Sequence, residues 1–395
     1  MIAQPLYNDA LTLLNKLSTT HGFLASSIAA DNYKRIWARD AMVCGVASVL
    51  VGRKELLDSF KQSLLTLAKY SHTNGMIPSN VDPHTGDVSF GSLVGRIDAN
   101  TWFVIGACLH YLHTKDEQTW ATLKPKAEKT LLYLKALEQN DRGWLYTPLS
   151  GNWADEYPIH GYTLYDNGLY HWAQRLWAKC NDSEVNEAIE AKTQSNFWPT
   201  AGAAKNMVYQ EVAFQKAAKQ GVDHFSAFIL PGIYDTRFDA AANGLALLLW
   251  PLSKEQKQGV ARTIDSFKND LGTALVPAFW PIVDKDSPDW YLLENNYSYD
   301  FKNTPGAFHN GGIWPVWMGL FCLGLASQGM YEEAQKIATA FSTYVSEDAN
   351  WQFQEYLHAN ELTFQGKTQM GYTASGIVFM AAAIEQKSIA ELLHF

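Results

Sequence analysis

The sequence predicts an all-α protein folded as an (α/α)6 barrel, and three observations predict it. Apolar segments with helical periodicity recur along the whole chain. Every second one is apolar almost all round, while its neighbours carry a charged face. A polar cluster stands at the start of each all-apolar helix. A helix apolar on every side has to be buried, so the alternation describes six inner helices wrapped by six outer ones.

The helices fall near residues 5–17, 37–51, 54–71, 99–113, 118–139, 162–180, 205–219, 237–250, 254–269, 311–327, 330–344 and 370–384, with a shorter one possible near 183–194 and a turn at the C-terminus. The stretches "DAMVCGVASVLVG", "TWFVIGACLHYL", "AAANGLALLLW" and "GGIWPVWMGLFCLGLA" belong to the inner set. "KELLDSFKQSLLTLAKY" and "MYEEAQKIATAFSTYV" have the charged face of outer helices. Strand-like runs are few and short. No Pro/Gly/Ser-rich linker divides the chain, so residues 1–395 read as one barrel domain. A helical solenoid would need a repeated motif of fixed length, and none is present.

Bulk composition narrows the function. At 395 residues and 47% hydrophobic content the chain can bury a large core. A formal charge of −9 argues against nucleic acid and anionic membranes as partners. The 14 Trp, 19 Tyr and 19 Phe are a rich supply of ring faces, which suit the apolar faces of sugars. Cys44, Cys108, Cys180 and Cys322 are widely spaced and read as free, mostly buried thiols in a reducing compartment. The N-terminal residues lack the pattern of a secretory signal, and no segment has the apolar length of a membrane span. The expected location is cytoplasmic.

The polar clusters carry the chemistry. "WARD", "RID", "NWADEY", "TRFD", "FHNGG" and "GKTQMGY" each lead into an inner helix, so a barrel would gather them at one end. Asp40 and Asp98 are 58 residues apart, and Asp98 and Asp155 are 57 apart. One acidic cluster at a helix start is a cap; six at the same phase describe a pocket. With no phosphate loop, no grouped metal ligands and no Ser-His-Asp order, the reaction falls to carboxylates, and no metal or organic cofactor is implied. Glycoside hydrolysis needs two, one to protonate the leaving oxygen and one to activate water or attack. Asp155 is the acid candidate because Trp153 and Tyr157 could strip its hydration and raise its pKa. Glu355, in the aromatic-rich stretch "NWQFQEYLHANELTFQGKTQMGYTASG", is the base candidate, with Gly366 and Gly371 letting its loop fold back over a cavity.

These motifs resemble those of the alkaline and neutral invertases and related (α/α)6 glycosidases, including the glucosidase half of glycogen debranching enzymes. "RIWARDAM" resembles their Arg-Asp element, "GRIDANTW" their Val-Asp-Ser-Gly-(Leu/Phe)-Trp segment, and "FHNGGIWPVW" their Trp-His-Asn-Gly-Gly-Ser-Trp-Pro-Val. "ADEYPIHGYTLYDN" is similar to the element that carries their general acid. "FQEYLHANELTFQGKTQMGYTASG" is similar to their Trp-Pro-Glu-Tyr-Tyr-Asp-Gly segment and the Gln-Thr-Trp-Ser-Ile-Ala-Gly after it, where the Glu is the base. The matches run in order from Arg39 to Gly376. The resemblance implies the same pair, Asp155 as acid and Glu355 as base. The chain departs from the pattern where Glu156-Tyr157 replaces Arg-Arg after the acid, and where Trp102-Phe103 replaces Trp-Trp.

The expected activity is therefore inverting hydrolysis of a small α-glucoside, with the carboxyl groups roughly 6.5–9.5 Å apart to admit a water. Arg39, Asp40, Asp98, His309, Asn310 and Gln369 are candidate hydroxyl ligands, and Trp102, Tyr162 and Trp314 candidate ring walls; Arg96 would support Asp98. Asp98 is a second candidate for the acid, and Asp239 reads as a possible helix cap. Two rivals share the barrel. A sugar epimerase or isomerase would want paired histidines at inner-helix ends, and only His309 is well placed. A non-catalytic sugar-binding barrel would need no opposed carboxylates.

Overall fold

A computed structural model describes residues 2, 4–28 and 32–395. These residues form fifteen α-helices: α1 Gln4–Leu17, α2 Ala38–Val51, α3 Lys54–Lys69, α4 Asp98–Thr114, α5 Glu117–Ala136, α6 Leu164–Asn181, α7 Glu187–Phe197, α8 Glu211–Gln220, α9 Ala240–Leu249, α10 Lys254–Leu271, α11 Trp290–Asn295, α12 Pro315–Ser327, α13 Tyr331–Glu347, α14 Gly371–Ile384 and α15 Ile389–Leu393. Each of the twelve expected main helices is present.

Six of them close a ring: α2 packs on α4, α4 on α6, α6 on α9, α9 on α12, α12 on α14, and α14 on α2. All of them but α6 have sequences that are apolar almost all round. All ten residues of α9 are buried, whereas α10 on the outside buries Gly259, Val260, Thr263, Ile264 and Phe267 and leaves its Lys, Glu and Asp residues to water. The chain is an (α/α)6 barrel.

Outer helices lock into the inner ring through large side chains set against small ones. Phe60 of α3 is fully buried, and its ring occupies the space that a Cβ on Gly45 of α2 would enter, while Met42 Sδ fills the space beside Gly106 of α4. Burying such a ring contributes about 2–3 kcal/mol. On the far side α7 holds α6 through the Arg175–Glu190 ion pair and a 2.9 Å contact between His171 Nε2 and Thr193 Oγ1. One large apolar cluster runs from Leu6 to Leu393, and a small second one gathers Ile97, Leu134, Leu145 and Tyr170.

Short antiparallel strands brace the ends where the inner helices begin. β1 Ser18–Thr19 pairs with β2 Gly22–Phe23 ahead of the ring. β3 Ile36–Trp37 pairs with β4 Asn80–Val81, which pairs with β5 Val88–Ser89. β6 Tyr162–Thr163 leads a sheet with β7 Phe228–Leu230 and β8 Ile233–Asp235. β9 Phe238–Asp239 pairs with β10 Phe279–Trp280, and β11 Tyr356–Leu357 with β12 Phe364–Gln365. Thus β3, β6 and β9 fix the entry to α2, α6 and α9, and β11–β12 precedes α14.

Two elements differ from expectation. The segment expected as a helix from 205 starts at Glu211, after a 3₁₀ turn at Lys205–Met207. The Asn196 amide donates to Met207 O at 2.6 Å and accepts Tyr209 N–H at 2.8 Å, so the backbone groups a longer helix would use are already taken. Helix α11 has no counterpart in the expected set. All four cysteines are free, with Cys44, Cys108 and Cys322 buried. None of the described helices is long and apolar enough to cross a membrane.

Candidate active site

A cleft of about 680 Å³, counting its open mouth, lies at the end of the barrel where the inner helices start. Five of the six polar clusters reach its wall. They contribute Arg39 and Asp40, Arg96, Trp153 and Asp155, Phe308, His309 and Trp314, and Tyr372; Glu355 joins from the loop before α14. The sixth cluster, "TRFD", stays behind the wall. Arg237 there binds Asp235 and Asp289 and donates to Tyr157 Oη at 3.2 Å, while Asp239 caps α9 by accepting Ala242 N–H at 3.1 Å.

Asp155 and Glu156 do not start a helix. Thr163 caps α6, accepting Asp166 N–H at 3.3 Å, and the acidic pair stands in the loop ahead of it. That loop is anchored from below by buried Asp166, whose Oδ2 accepts from Thr147 at 2.8 Å, Thr163 at 2.7 Å and Asn152 at 2.9 Å. Burial, reinforced by Asp98, pushes the Asp166 carboxyl up to about 7.

The rings expected to desolvate Asp155 are engaged elsewhere. Trp153 stacks on Phe279 at 5.5 Å, and Tyr157 stacks on the other side of Phe279 at 4.2 Å. The Asp155 side chain remains 25% exposed, and its Oδ2 is held by Arg96 Nη2. Arg96 is itself buried and fixed by Ser150 O and Ser92 Oγ. It thus supports Asp155, where the sequence suggested Asp98.

Glu355 has the opposite surroundings. It is buried, and its Oε1 accepts from Tyr33 Oη at 2.8 Å and Tyr372 Oη at 3.2 Å, while Oε2 accepts Lys367 N–H at 2.8 Å. Burial raises its pKa above the usual value, and these donors pull it back. Gly366 lies directly across the β11–β12 turn with φ +84°, as the loop fold requires. Gly371 plays no such part: it opens α14 and packs against Leu17 and Cys44.

The remaining candidates divide into wall and support. Arg39 Nη1 donates to Asp98 Oδ2 at 2.7 Å; the same oxygen accepts from Tyr165 Oη at 3.3 Å, and Tyr165 accepts Trp102 Nε1–H at 2.9 Å. Asp98 and Trp102 therefore stand behind Arg39, outside the cleft wall. Asp40 is on the wall, and burial pushes its carboxyl up to about 7 despite Arg39. The His309 ring stacks on Trp314 and lies tilted against Phe308, with Nδ1 unpartnered among the described residues. Burial and then Arg39 hold its pKa well below the ordinary value, so the ring is neutral.

Three further candidates, besides Asp98 and Trp102, do not line the cleft. Asn310 commits its amide to Val283 N–H and to the carbonyls of Val283 and Asn303. Tyr162 is buried among Trp144, Tyr146 and Tyr209 and accepts from Asn140. Gln369 accepts from Lys16 at 3.2 Å. The sequence reading missed Tyr33, Trp37, Trp317 and Tyr372. Tyr372 stands inside "GKTQMGY", a cluster already marked as polar; Tyr33 carried no comparable signal. Among the described residues no group of three or more His, Cys, Asp or Glu is placed to hold a metal ion.

Known proteins share sequence and fold with this chain. Residues 192–387 match the family described as alkaline and neutral invertase. Alkaline/neutral invertase C, mitochondrial, of Arabidopsis thaliana is 29% identical over 176 residues, 44% of this chain and 25% of that protein. Neutral/alkaline invertase 1, mitochondrial, of Oryza sativa subsp. japonica is 25% identical over 428 residues, 92% of this chain and 66% of that protein. The chain thus spans from a quarter to about two thirds of these relatives' lengths. Among solved structures, the GH63 mannosylglycerate hydrolase of Thermus thermophilus with glucose has a TM-score of 0.66 at 13% identity, covering 95% of this chain and 100% of that one. Hormoconis resinae glucoamylase has a TM-score of 0.60 at 11% identity, covering 96% and 72%.

Proposed function

We propose that this chain, whose residues 192–387 match the alkaline and neutral invertase family, hydrolyses a small α-glucoside with inversion, residues 1–395 acting as one catalytic unit. The observation that carries the reading is that Asp155 and Glu355, from loops far apart in sequence, wall one cleft in unlike surroundings. Asp155 gives its proton to the glycosidic oxygen as the bond to the anomeric carbon breaks. Glu355 takes a proton from the water that attacks that carbon from the opposite face. The hydroxyl groups of Tyr33 and Tyr372 orient the Glu355 carboxylate. Arg39, held by Asp98, Asp40 and the free Nδ1 of His309 bind sugar hydroxyls, and Trp314 faces the ring. The proposed location is cytoplasmic, as the sequence suggests.

One observation favours exchanged roles for the two carboxyl groups. The buried Arg96 already holds the Asp155 carboxyl, and burial of Glu355 raises its pKa and so favours its protonated form. The three donors on Glu355 favour its carboxylate and support the first assignment. An epimerase finds less support, because His309 is the one histidine among the described residues of the wall.

The test is a panel of α-glucosides with fructosyl, glyceryl, glycerate and glucosyl leaving groups, followed by NMR. Glucose released first as the β-anomer supports inversion. First release of α-glucose would make one carboxylate a nucleophile, and no release from any member would remove the hydrolase reading.

A further inference from the structure

The segment 296–303 is fastened to the acid-bearing loop at several points. Buried Asn296 accepts from Ser150 Oγ at 2.7 Å and donates to Asp155 O at 3.3 Å. Ser298 N–H donates to Glu156 Oε1 at 3.2 Å, and Asn303 donates to Glu156 O at 2.7 Å while accepting His309 N–H at 3.0 Å. Further along, Lys302 Nζ lies 5.1 Å from the centre of the Phe308 ring, which walls the cleft. The segment therefore borders the cleft on the Asp155 side, just outside the residues that line it.

The residues between these anchors face outward. Tyr297 is 40% exposed and Tyr299 is 85% exposed. Tyr297 packs edge-on against Phe301 at 5.9 Å, which steadies its ring beside the more open Tyr299. A proton donor touches the glycosidic oxygen, so the leaving group must extend from the cleft on the side of Asp155. We infer that residues 296–303 form the leaving-group wall, and that Tyr297 and Tyr299 determine specificity by stacking on the ring of a neutral carbohydrate leaving group. This rests on the assignment of Asp155 as the acid.

The test compares Tyr297→Ala/Tyr299→Ala with the wild type on α-glucosyl fluoride, which has no leaving-group ring, and on sucrose and maltose. Tyr291→Ala, at a 70% exposed ring with no tie to the acid loop, is the control. Expected for the double variant is a rise in KM of about five- to tenfold on the disaccharide that is cleaved, with kcat and fluoride hydrolysis within about twofold. An unchanged KM would overturn the proposal, as would an equal loss on the fluoride. A change of oligomeric state without a change in KM would overturn it in favour of a second protein as occupant. A wild type inactive on the fluoride as well would bring down the hydrolase reading and this one together.

Discussion

Glu355 lies so close to Gly366 that a Cβ at position 366 would stand 2.5 Å from Glu355 Oε2. The glycine is needed twice over, once for its φ of +84° and once for the room it leaves beside the carboxylate.

Gly366→Ala separates these needs when compared with Gly52→Ala. Gly52 caps α2 with φ +73° and has nothing within 4 Å of its would-be Cβ. Both variants should lose about 1 kcal/mol or more of stability from the left-handed conformation. Only Gly366→Ala should also lose activity, about tenfold or more in kcat, because it displaces a reacting group. Thermal unfolding and kinetics on one substrate check this, and equal activity in the two variants would refute it.

The tyrosines on Glu355 set the pH response. Their donors favour the carboxylate, so Tyr372→Phe should raise the Glu355 pKa further. A base with a higher pKa is lost at higher pH. The acid limb of the kcat/KM profile should therefore move upward in Tyr372→Phe and in Tyr33→Phe. A limb that stays in place while activity drops would assign the tyrosines to substrate binding instead.

Much of this arrangement was legible in the sequence. The inner helices stood out because a buried helix cannot carry a charged face, and the all-apolar stretches at 38–51, 98–114, 240–249, 315–327 and 371–384 now form the ring with α6. The depth of a side chain was not legible. Trp102 lies one turn inside α4 and faces Tyr165, although it is only six residues from Arg96 on the wall. Nor was the Arg96–Asp155 pair, which bridges 59 residues through loops whose paths no periodicity encodes. Asn310 misled for a related reason: its motif suits a hydroxyl ligand, but its neighbours' backbone groups claim it first.

Stability should depend on buried Asp239 with a defined sign. Burial raises its carboxyl from 3.8 to about 7. Between these values the folded chain holds a proton that the unfolded chain has released, so this group's contribution to stability falls as pH rises through that window. Asp239→Asn keeps an oxygen for the Ala242 N–H and removes the titration. The variant should match the wild type near pH 4 and exceed it at pH 8 by about 1 kcal/mol or more. Thermal unfolding at the two pH values decides it, and a gain confined to acid pH would contradict the assignment.

The roles of the two carboxyl groups are separated by the leaving group. A proton donor matters most when the departing oxygen is a poor leaving group, and little when it leaves readily as an anion. Asp155→Asn should lower kcat on a natural α-glucoside by about 10²–10⁴-fold, and lose far less on α-glucosyl fluoride. Glu355→Gln should fail on both, since water must be activated whatever departs. Asp98→Asn should weaken both substrates alike, because its carboxylate acts through Arg39 at 2.7 Å and never meets the leaving group. A leaving-group dependence that appears in Glu355→Gln and is absent in Asp155→Asn would exchange the two roles while leaving the hydrolase in place.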